Sequence, residues 1–478
     1  DIVNRGIVFN ILLLLSILIL PAQHETGKIT VYSQEKIAKI SPLFWGTNFL
    51  FWIEDDKALA DGQIVKMLKD MACPVLRYPG GTVADNFHWR TGRLDNTSLF
   101  PYESGDEETD FDEFMIACRK IGAEPLLVVN TQSWFLKGNI EGGAKDAADW
   151  VRYCKEKGYK VKYWEIGNET YWHSVMTAKE YASLVNIYAK AMKEADPTIL
   201  VSANGHWDIN LTGNKERTPK EYWETVRESM LSMDSKSNSA KFKKELENLI
   251  EKDVTAGEDK WWNDVADICG ENIDMISIHW YYYKQKQKML MQKIKEVKEL
   301  FRKKFPNKEF HVCLSEYICN EKDATERILG FTEGIGRFLE AGIVIGNFWQ
   351  MRIGGMEHRS MFNIRTNAPQ YPYTILKMFA RDLKGNLVNC SQVKGCHTFA
   401  SNSGKEMTIV ISGRELKKDK KISLDIKGFS IRQISCKKYE IVESPYPDVV
   451  GKKHSFDRNK QSVEIEVSPH SFVVLRIE

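Results

Sequence analysis

The sequence predicts a (β/α)8 barrel followed by a C-terminal β-sandwich. Three observations predict it. From residue 45 to residue 351, apolar runs of strand length alternate with helix-length stretches, and strand alternating with helix implies parallel pairing. There are eight such runs, the number that closes a barrel. From about residue 380 the texture changes to short alternating strands with turn residues between them, the pattern of a sandwich.

Taken in order, the chain first shows "NRGIVFNILLLLSILILPAQ", with one Arg, an apolar run from Ile7 to Leu20, and then Pro21-Ala22. The run is short for a bilayer span and reads as a signal peptide over 1–22, an expectation that makes the protein secreted or periplasmic. The strand "GKITVYS" (27–33) precedes the barrel and is expected to join the sandwich. The barrel is assigned to 41–378, and the sandwich to 379–478 plus the strand segment 27–40. The eight barrel runs are "WGTNFLF" (45–51), "PVLRYPGG" (74–81), "EPLLVVN" (124–130), "VKYWEIGNE" (161–169), "ILVSANG" (199–205), "DMISIHWYY" (274–282), "EFHVCLSEY" (309–317) and "VIGNFWQM" (344–351). Helical periodicity covers 110–122 and 286–305. The gap 206–273 is long and carries amphipathic patterns, as expected of a decorated loop on the barrel rim. A doubly wound sheet is the competing architecture, but no Gly-rich phosphate loop follows the first strand.

The composition of the 478 residues is that of an ordinary globular chain, with 43% hydrophobic and 28% charged residues. Formal net charge is +2 and the Lys-rich runs are mixed with acids, so no nucleic-acid partner is expected. None of the nine Cys forms a CxxC or a Cys/His cluster with zinc spacing. No metal site and no cofactor are therefore expected. Whether Cys390 and Cys396 pair is left open.

The chemistry is expected at the C-terminal ends of the strands, where barrels carry their working residues. In "VKYWEIGNETYW" (161–172), Tyr163, Glu165, Gly167 and Glu169 share a face by period two, and Trp164 and Ile166 face the helices. Glu169 therefore falls at the mouth, with Asn168 where the strand opens into a loop. The seventh run ends "VCLSEYICN", with Glu316 at matching depth. Two carboxylates from opposed strands at one mouth fit glycoside hydrolysis, one protonating the leaving oxygen and the other attacking the anomeric carbon. Arg77, before a Pro-Gly-Gly turn, can keep a carboxylate charged. Ser277, His279 and Tyr281 share one face of the sixth strand, so a His or Tyr there can hold the nucleophile in line. Trp89, Trp172, Trp280 and Trp349 offer flat rings for stacking on sugars. Each has a bland alternative: a strand-end Glu in a salt bridge, a satisfied core His, a core Trp. Asn168-Glu169-Thr170 also matches a glycosylation sequon, which is set aside because a modified Asn168 would block the mouth.

At these residues the sequence resembles the retaining glycoside hydrolases of clan A, and most of all the family 51 α-L-arabinofuranosidases. The resemblance is carried by "EIGNE", "LSEY", "LRYPGG", "HWRTGRL", "DMISIHWYY", "FWQM", "YPYTILKMFARDLKGN" and "SPHSFVVLRIE". It implies Glu169 as general acid/base and Glu316 as nucleophile. It implies Asn168 on the sugar hydroxyl beside the anomeric carbon, Arg77 and Tyr281 against the nucleophile, and Gln350 on the sugar. The sequence departs from the family at three places. Thr82 stands where Asn is usual, and Ser315-Glu316-Tyr317 where Asp-Glu-Trp is usual. Asn48 or Leu50 stands where a sugar-binding Glu is usual.

The expectation is a retaining hydrolase of a plant-type oligo- or polysaccharide, acting by double displacement on α-L-arabinofuranosides. The alternatives are a clan A enzyme of other specificity (β-xylosidase, β-glucuronidase, endo-glucanase or galactanase) and a non-catalytic carbohydrate-binding protein. No membrane partner is expected once the signal is removed, and oligomeric state is not fixed by the sequence.

Overall fold

A computed structural model of the chain describes residues 25–54, 62–94, 108–171, 176–209, 260–282, 287–355, 357–442, 444–459 and 462–478. The expected signal peptide and the amphipathic patterns at 221–233 and 241–252 lie outside the described residues.

The chain enters on β1 (Glu25–Lys39), which belongs to the second domain. Eight parallel strands then follow: β2 (Gly46–Asn48), β3 (Val75–Tyr78), β4 (Glu124–Val129), β5 (Tyr163–Ile166), β6 (Leu200–Gly205), β7 (Met275–Tyr282), β8 (His311–Cys319) and β9 (Ile345–Phe348). They close in the order β8-β9-β2-β3-β4-β5-β6-β7. Among the described residues the helices of eight residues or more are α1 (Gln63–Asp70), α2 (Phe111–Ile121), α3 (Ile140–Lys157), α4 (Ala178–Ala195), α5 (Trp261–Cys269), α6 (Gln287–Lys304), α7 (Ala324–Glu340) and α8 (Tyr371–Asp382).

Burial on both faces explains why the strands read as near-continuous apolar runs. Val75, Leu126, Val128, Tyr163, Met275, Cys313 and Ile345 form one buried cluster inside the barrel. Leu76, Leu127, Val129, Trp164, Ile166, Ile278 and Leu314 point outward into the core shared with the helices. Helix starts follow their caps. Asp110 and Glu113 form a capping box at α2, Thr177 and Glu180 another at α4, each worth about 1 kcal/mol.

Several strands are shorter than their apolar runs. The first is Gly46–Asn48 and the fourth Tyr163–Ile166, because the residues after them leave the ladder to build the mouth.

The second domain is a sandwich of β1 with β10 (Asn386–Cys390), β11 (His397–Asn402), β12 (Met407–Ser412), β13 (Lys420–Lys427), β14 (Ile434–Val442), β15 (Asp448–Lys453), β16 (Asp457–Asn459), β17 (Ser462–Val467) and β18 (Ser471–Ile477). Their order is β15-β14-β18-β12-β11-β10-β1-β13-β17-β16. The early strand joins the sandwich as its sequence suggested: Glu25–Tyr32 runs parallel to β13, and its later part runs antiparallel to β10. Ile29, Val31, Ile409, Ile422, Leu424, Val463 and Leu475 form a core of their own. All nine Cys are free thiols, Cys390 and Cys396 included. No described helix is long and apolar enough to cross a membrane.

Candidate active site

The fourth barrel strand ends at Ile166, and the chain then turns through two left-handed residues, Gly167 (φ 73°) and Glu169 (φ 47°). A side chain on Gly167 would meet Thr131 Oγ1 and Thr170 Oγ1, both at 2.8 Å, so only glycine fits. Period two holds up to Glu165, which points into the barrel and is fully buried. Beyond that the turn, not the pleat, aims Glu169. Its side chain is 22% exposed and its Oε1 lies 2.8 Å from His279 Nδ1.

The seventh barrel strand, β8, is bulged. Its register with β7 shifts between Leu314 and Glu316, and the extra residue lets Ser315 and Glu316 both face inward. Ser315 Oγ donates to Glu165 at 2.9 Å, and Glu316 is 2% exposed. Leu314 and Tyr317, on either side, pack against the helix layer.

Arg77 lies between the two carboxylate-bearing strands and is fully buried. Its Nε donates to Glu165 Oε2 at 2.7 Å and its Nη1 to Glu316 Oε1 at 2.8 Å and Asn48 Oδ1 at 2.9 Å. Its Nη2 donates to Asn168 Oδ1 at 2.7 Å. The guanidinium thus balances two buried acids and orients the amide beside Glu169. With its oxygen held, Asn168 keeps a buried Nδ2 that has no protein partner.

Glu316 accepts a short hydrogen bond from the Tyr281 hydroxyl on Oε2, and His279 Nδ1 lies 3.5 Å from the same oxygen. Ligand atoms of Glu169, His279 and Glu316 all lie within 4.8 Å of one another. Burial pushes the Glu316 carboxyl up; His279 and Arg77 oppose this, Glu169 reinforces it, and the net is upward. Burial alone would lower His279, but Glu316 and Glu169 outweigh it and hold the imidazole above its ordinary value. Burial also keeps Tyr281 protonated, hence a donor. Among the described residues this is the one cluster that would offer a cation three ligands.

Trp349, at the end of β9, is half-buried. A Cβ on Gly81 would meet its ring at 2.9 Å and Glu316 Oε1 at 3.2 Å. The ring and the carboxylate therefore share one backbone neighbour. Glu169, Glu316, Arg77, Asn168, His279, Tyr281 and Trp349 thus come together.

Others do not. Asn48 is fully buried, its Nδ2 donating to the Ser315 carbonyl at 3.0 Å and its Oδ1 taken by Arg77. It props the arginine and has nothing left for a sugar. Gln350 is fully buried, with Nε2 on Ser360 Oγ at 3.3 Å. Trp89 stacks on Trp150 in the helix layer, centroids 5.6 Å apart and planes 2° apart, because the turn after the second strand carries it outward. Trp280 is buried against Trp207, centroids 4.7 Å apart. Trp172 lies outside the described residues. Asp85, Thr131 and Asn204, which no sequence motif marks, hold the turn around Glu169. Their one signal is polarity inside buried strand ends.

Comparison with known proteins agrees with this layout. The model of the alpha-L-arabinofuranosidase 1 domain matches residues 67–253. A probable α-L-arabinofuranosidase C of Aspergillus clavatus is 31% identical over 216 residues, 37% of this chain and 41% of that protein. An intracellular exo-α-(1→5)-L-arabinofuranosidase of Acetivibrio thermocellus is 27% identical over 216 residues, 38% of this chain and 42% of that protein. The chain spans about two fifths of the length of the curated relatives it matches. A crystal structure of the α-L-arabinofuranosidase of Thermotoga maritima with arabinose superposes with a TM-score of 0.67 at 19% identity, covering 94% of this chain and 99% of that one. In fold, and in the placement of its two mouth acids, the chain is similar to the clan A glycoside hydrolases. The similarity includes α-L-arabinofuranosidases, among them one of family 51.

Proposed function

We propose that the protein hydrolyses glycosidic bonds with retention, by double displacement, on α-L-arabinofuranosides of a plant-type polysaccharide. One observation carries the reading: oxygens of Glu169 and Glu316 lie within 4.8 Å of each other at the barrel mouth. Retaining enzymes need their carboxyl groups about 5–5.5 Å apart, whereas inverting ones need about 6.5–9.5 Å to admit a water. Glu316 Oε attacks the anomeric carbon as the bond to the leaving oxygen breaks, and the Glu169 proton passes to that oxygen. Water then attacks the glycosyl ester, Glu169 takes its proton, and Glu316 departs as a carboxylate. Arg77 and Tyr281 hold Glu316 through both steps. Asn168 Nδ2 is the donor for the neighbouring sugar hydroxyl, and Trp349 the apolar wall. The N-terminal apolar run Ile7–Leu20 supports export to a secreted or periplasmic location.

A second reading, a clan A enzyme of other sugar specificity, is favoured by Leu50. It stands buried and apolar at a place where the resemblance implies a sugar-binding carboxylate, and Asn48, bonded to Arg77, does not replace that group. A panel of aryl arabinofuranosides, xylosides, glucosides, galactosides and glucuronides decides between them. Turnover of arabinofuranosides is expected. Turnover of pyranosides alone would refute the arabinofuranoside assignment and leave the double displacement standing.

A further inference from the structure

We infer that Asp85 is the positioning residue for the acid/base carboxylate of Glu169, an inference that rests on the role of Glu169 given above. Asp85 lies in the short helical turn Thr82–Asn86 that follows the second barrel strand, and is 2% exposed. Both of its carboxylate oxygens accept from the backbone N–H of Asn168, each at 3.2 Å. Its Oδ1 also accepts from the Thr131 hydroxyl at 2.7 Å, and Thr131 follows the third barrel strand. Segments after the second, third and fourth strands therefore meet on one carboxylate.

The turn it grips does not hold itself. Glu169 carries a Cβ yet adopts φ 47°, a left-handed conformation that costs about 1–2 kcal/mol. Surrounding contacts must impose it. Asp85 fixes the N–H on one side of Glu169, and Asn204 Oδ1 fixes the N–H of Thr170 on the other, at 3.0 Å. Between these two clamps the Glu169 side chain is directed at His279 Nδ1. Burying a carboxylate is costly unless it is well bonded, so a residue that only filled space here would not need to be an acid. The charge strengthens the grip on the amide of Asn168.

Release of that grip leaves Glu169 present but out of line with the leaving oxygen. The defect then falls on proton donation alone, so it depends on how much help the leaving group needs. The test compares kcat/KM, which reports the steps up to bond cleavage, for an alkyl glycoside and a dinitrophenyl glycoside of the sugar the wild type turns over. Glu169→Ala is the benchmark and should fail on the alkyl glycoside while keeping the dinitrophenyl one. Asp85→Asn is expected to lose about 100-fold on the alkyl glycoside and less than about threefold on the dinitrophenyl one. Thr131→Val, which removes one of the hydrogen bonds to Asp85 Oδ1 without altering charge, should show the same leaving-group pattern to a smaller degree. Equal losses on both substrates in Asp85→Asn and Thr131→Val, or no loss in either, with Glu169→Ala behaving as stated, would overturn the role of Asp85 and leave Glu169 intact. Loss of leaving-group dependence in Glu169→Ala itself would instead remove the acid/base assignment, and this inference with it.

Discussion

At the residue scale, Arg77 and Tyr281 hold Glu316, the nucleophile proposed above, while burial works against its charge. Glu316→Ala should lower kcat by about 10⁴-fold or more. Azide should restore turnover and yield a glycosyl azide of inverted configuration, detectable by NMR; a variant as active as wild type would exclude Glu316. Tyr281→Phe removes a donor to a charged group and should cost about 10- to 100-fold in kcat/KM. In the proposed role Glu316 must be ionised to attack, and its pKa is raised above the ordinary 4.5. Activity should therefore rise with pH through an apparent pKa above that value, and the limb should move higher still in Tyr281→Phe, which loses a bond to the ionised form. A limb at or below the ordinary value in a kcat/KM profile would contradict this account. Arg77→Met should destabilise the fold by about 3–5 kcal/mol in urea unfolding, because Glu165 and Glu316 would both remain buried without their cation.

At the scale of elements, two local departures from regular structure build the mouth. The left-handed turn after β5 aims Glu169, and the bulge in β8 turns Ser315 and Glu316 to the same side. Gly167→Ala puts a Cβ 2.8 Å from two hydroxyl oxygens at φ 73°. It should cost about 1–3 kcal/mol of stability and reduce kcat more than it raises KM, measurable by thermal unfolding and steady-state kinetics. The alternation of side chains was legible in the sequence wherever the strand is regular, as for Ser277, His279 and Tyr281 on β7. It was not legible at the turn or the bulge, since nothing local marks an extra residue in a ladder. Period two points Glu169 to the mouth, but the backbone leaves the strand at Ile166, and it is the turn that brings the residue there. Trp89 is a stacking candidate by its nearness to a strand end and Asn48 a sugar-binding candidate by resemblance, and the structure gives each another task. An aromatic ring or an amide near the mouth can equally serve the helix layer or a neighbouring arginine.

At the scale of the whole molecule, barrel and sandwich are joined through buried ion pairs on α7. Arg414 donates to Glu326 at 3.0 Å and to Glu333 at 3.2 Å, and Ser412 Oγ donates to Glu333 at 2.8 Å. Burial pushes the Glu333 carboxyl up, with Arg414 the main opposing influence. Arg414→Leu should therefore destabilise the chain by about 3 kcal/mol at neutral pH. A carboxyl whose folded pKa exceeds its unfolded value binds its proton more tightly when folded. The variant should thus lose stability as pH rises from the unfolded pKa through the folded one, and regain it in acid; a pH-independent loss in calorimetry would contradict this. Sequence alone settled the strand and helix order, the sandwich with its early strand, and the two acids, Glu169 and Glu316, near the ends of the fourth and seventh apolar runs. All of these follow from periodicity and chain order, which are local quantities. Tertiary structure alone brings Arg77 to Glu165 and Glu316, sets Asn48 against Arg77, seats Asp85 under the turn of Glu169, and places oxygens of Glu169 and Glu316 within 4.8 Å of each other. Each of these depends on barrel closure and strand register, which bring together residues far apart in the chain and are set by how the whole sheet packs.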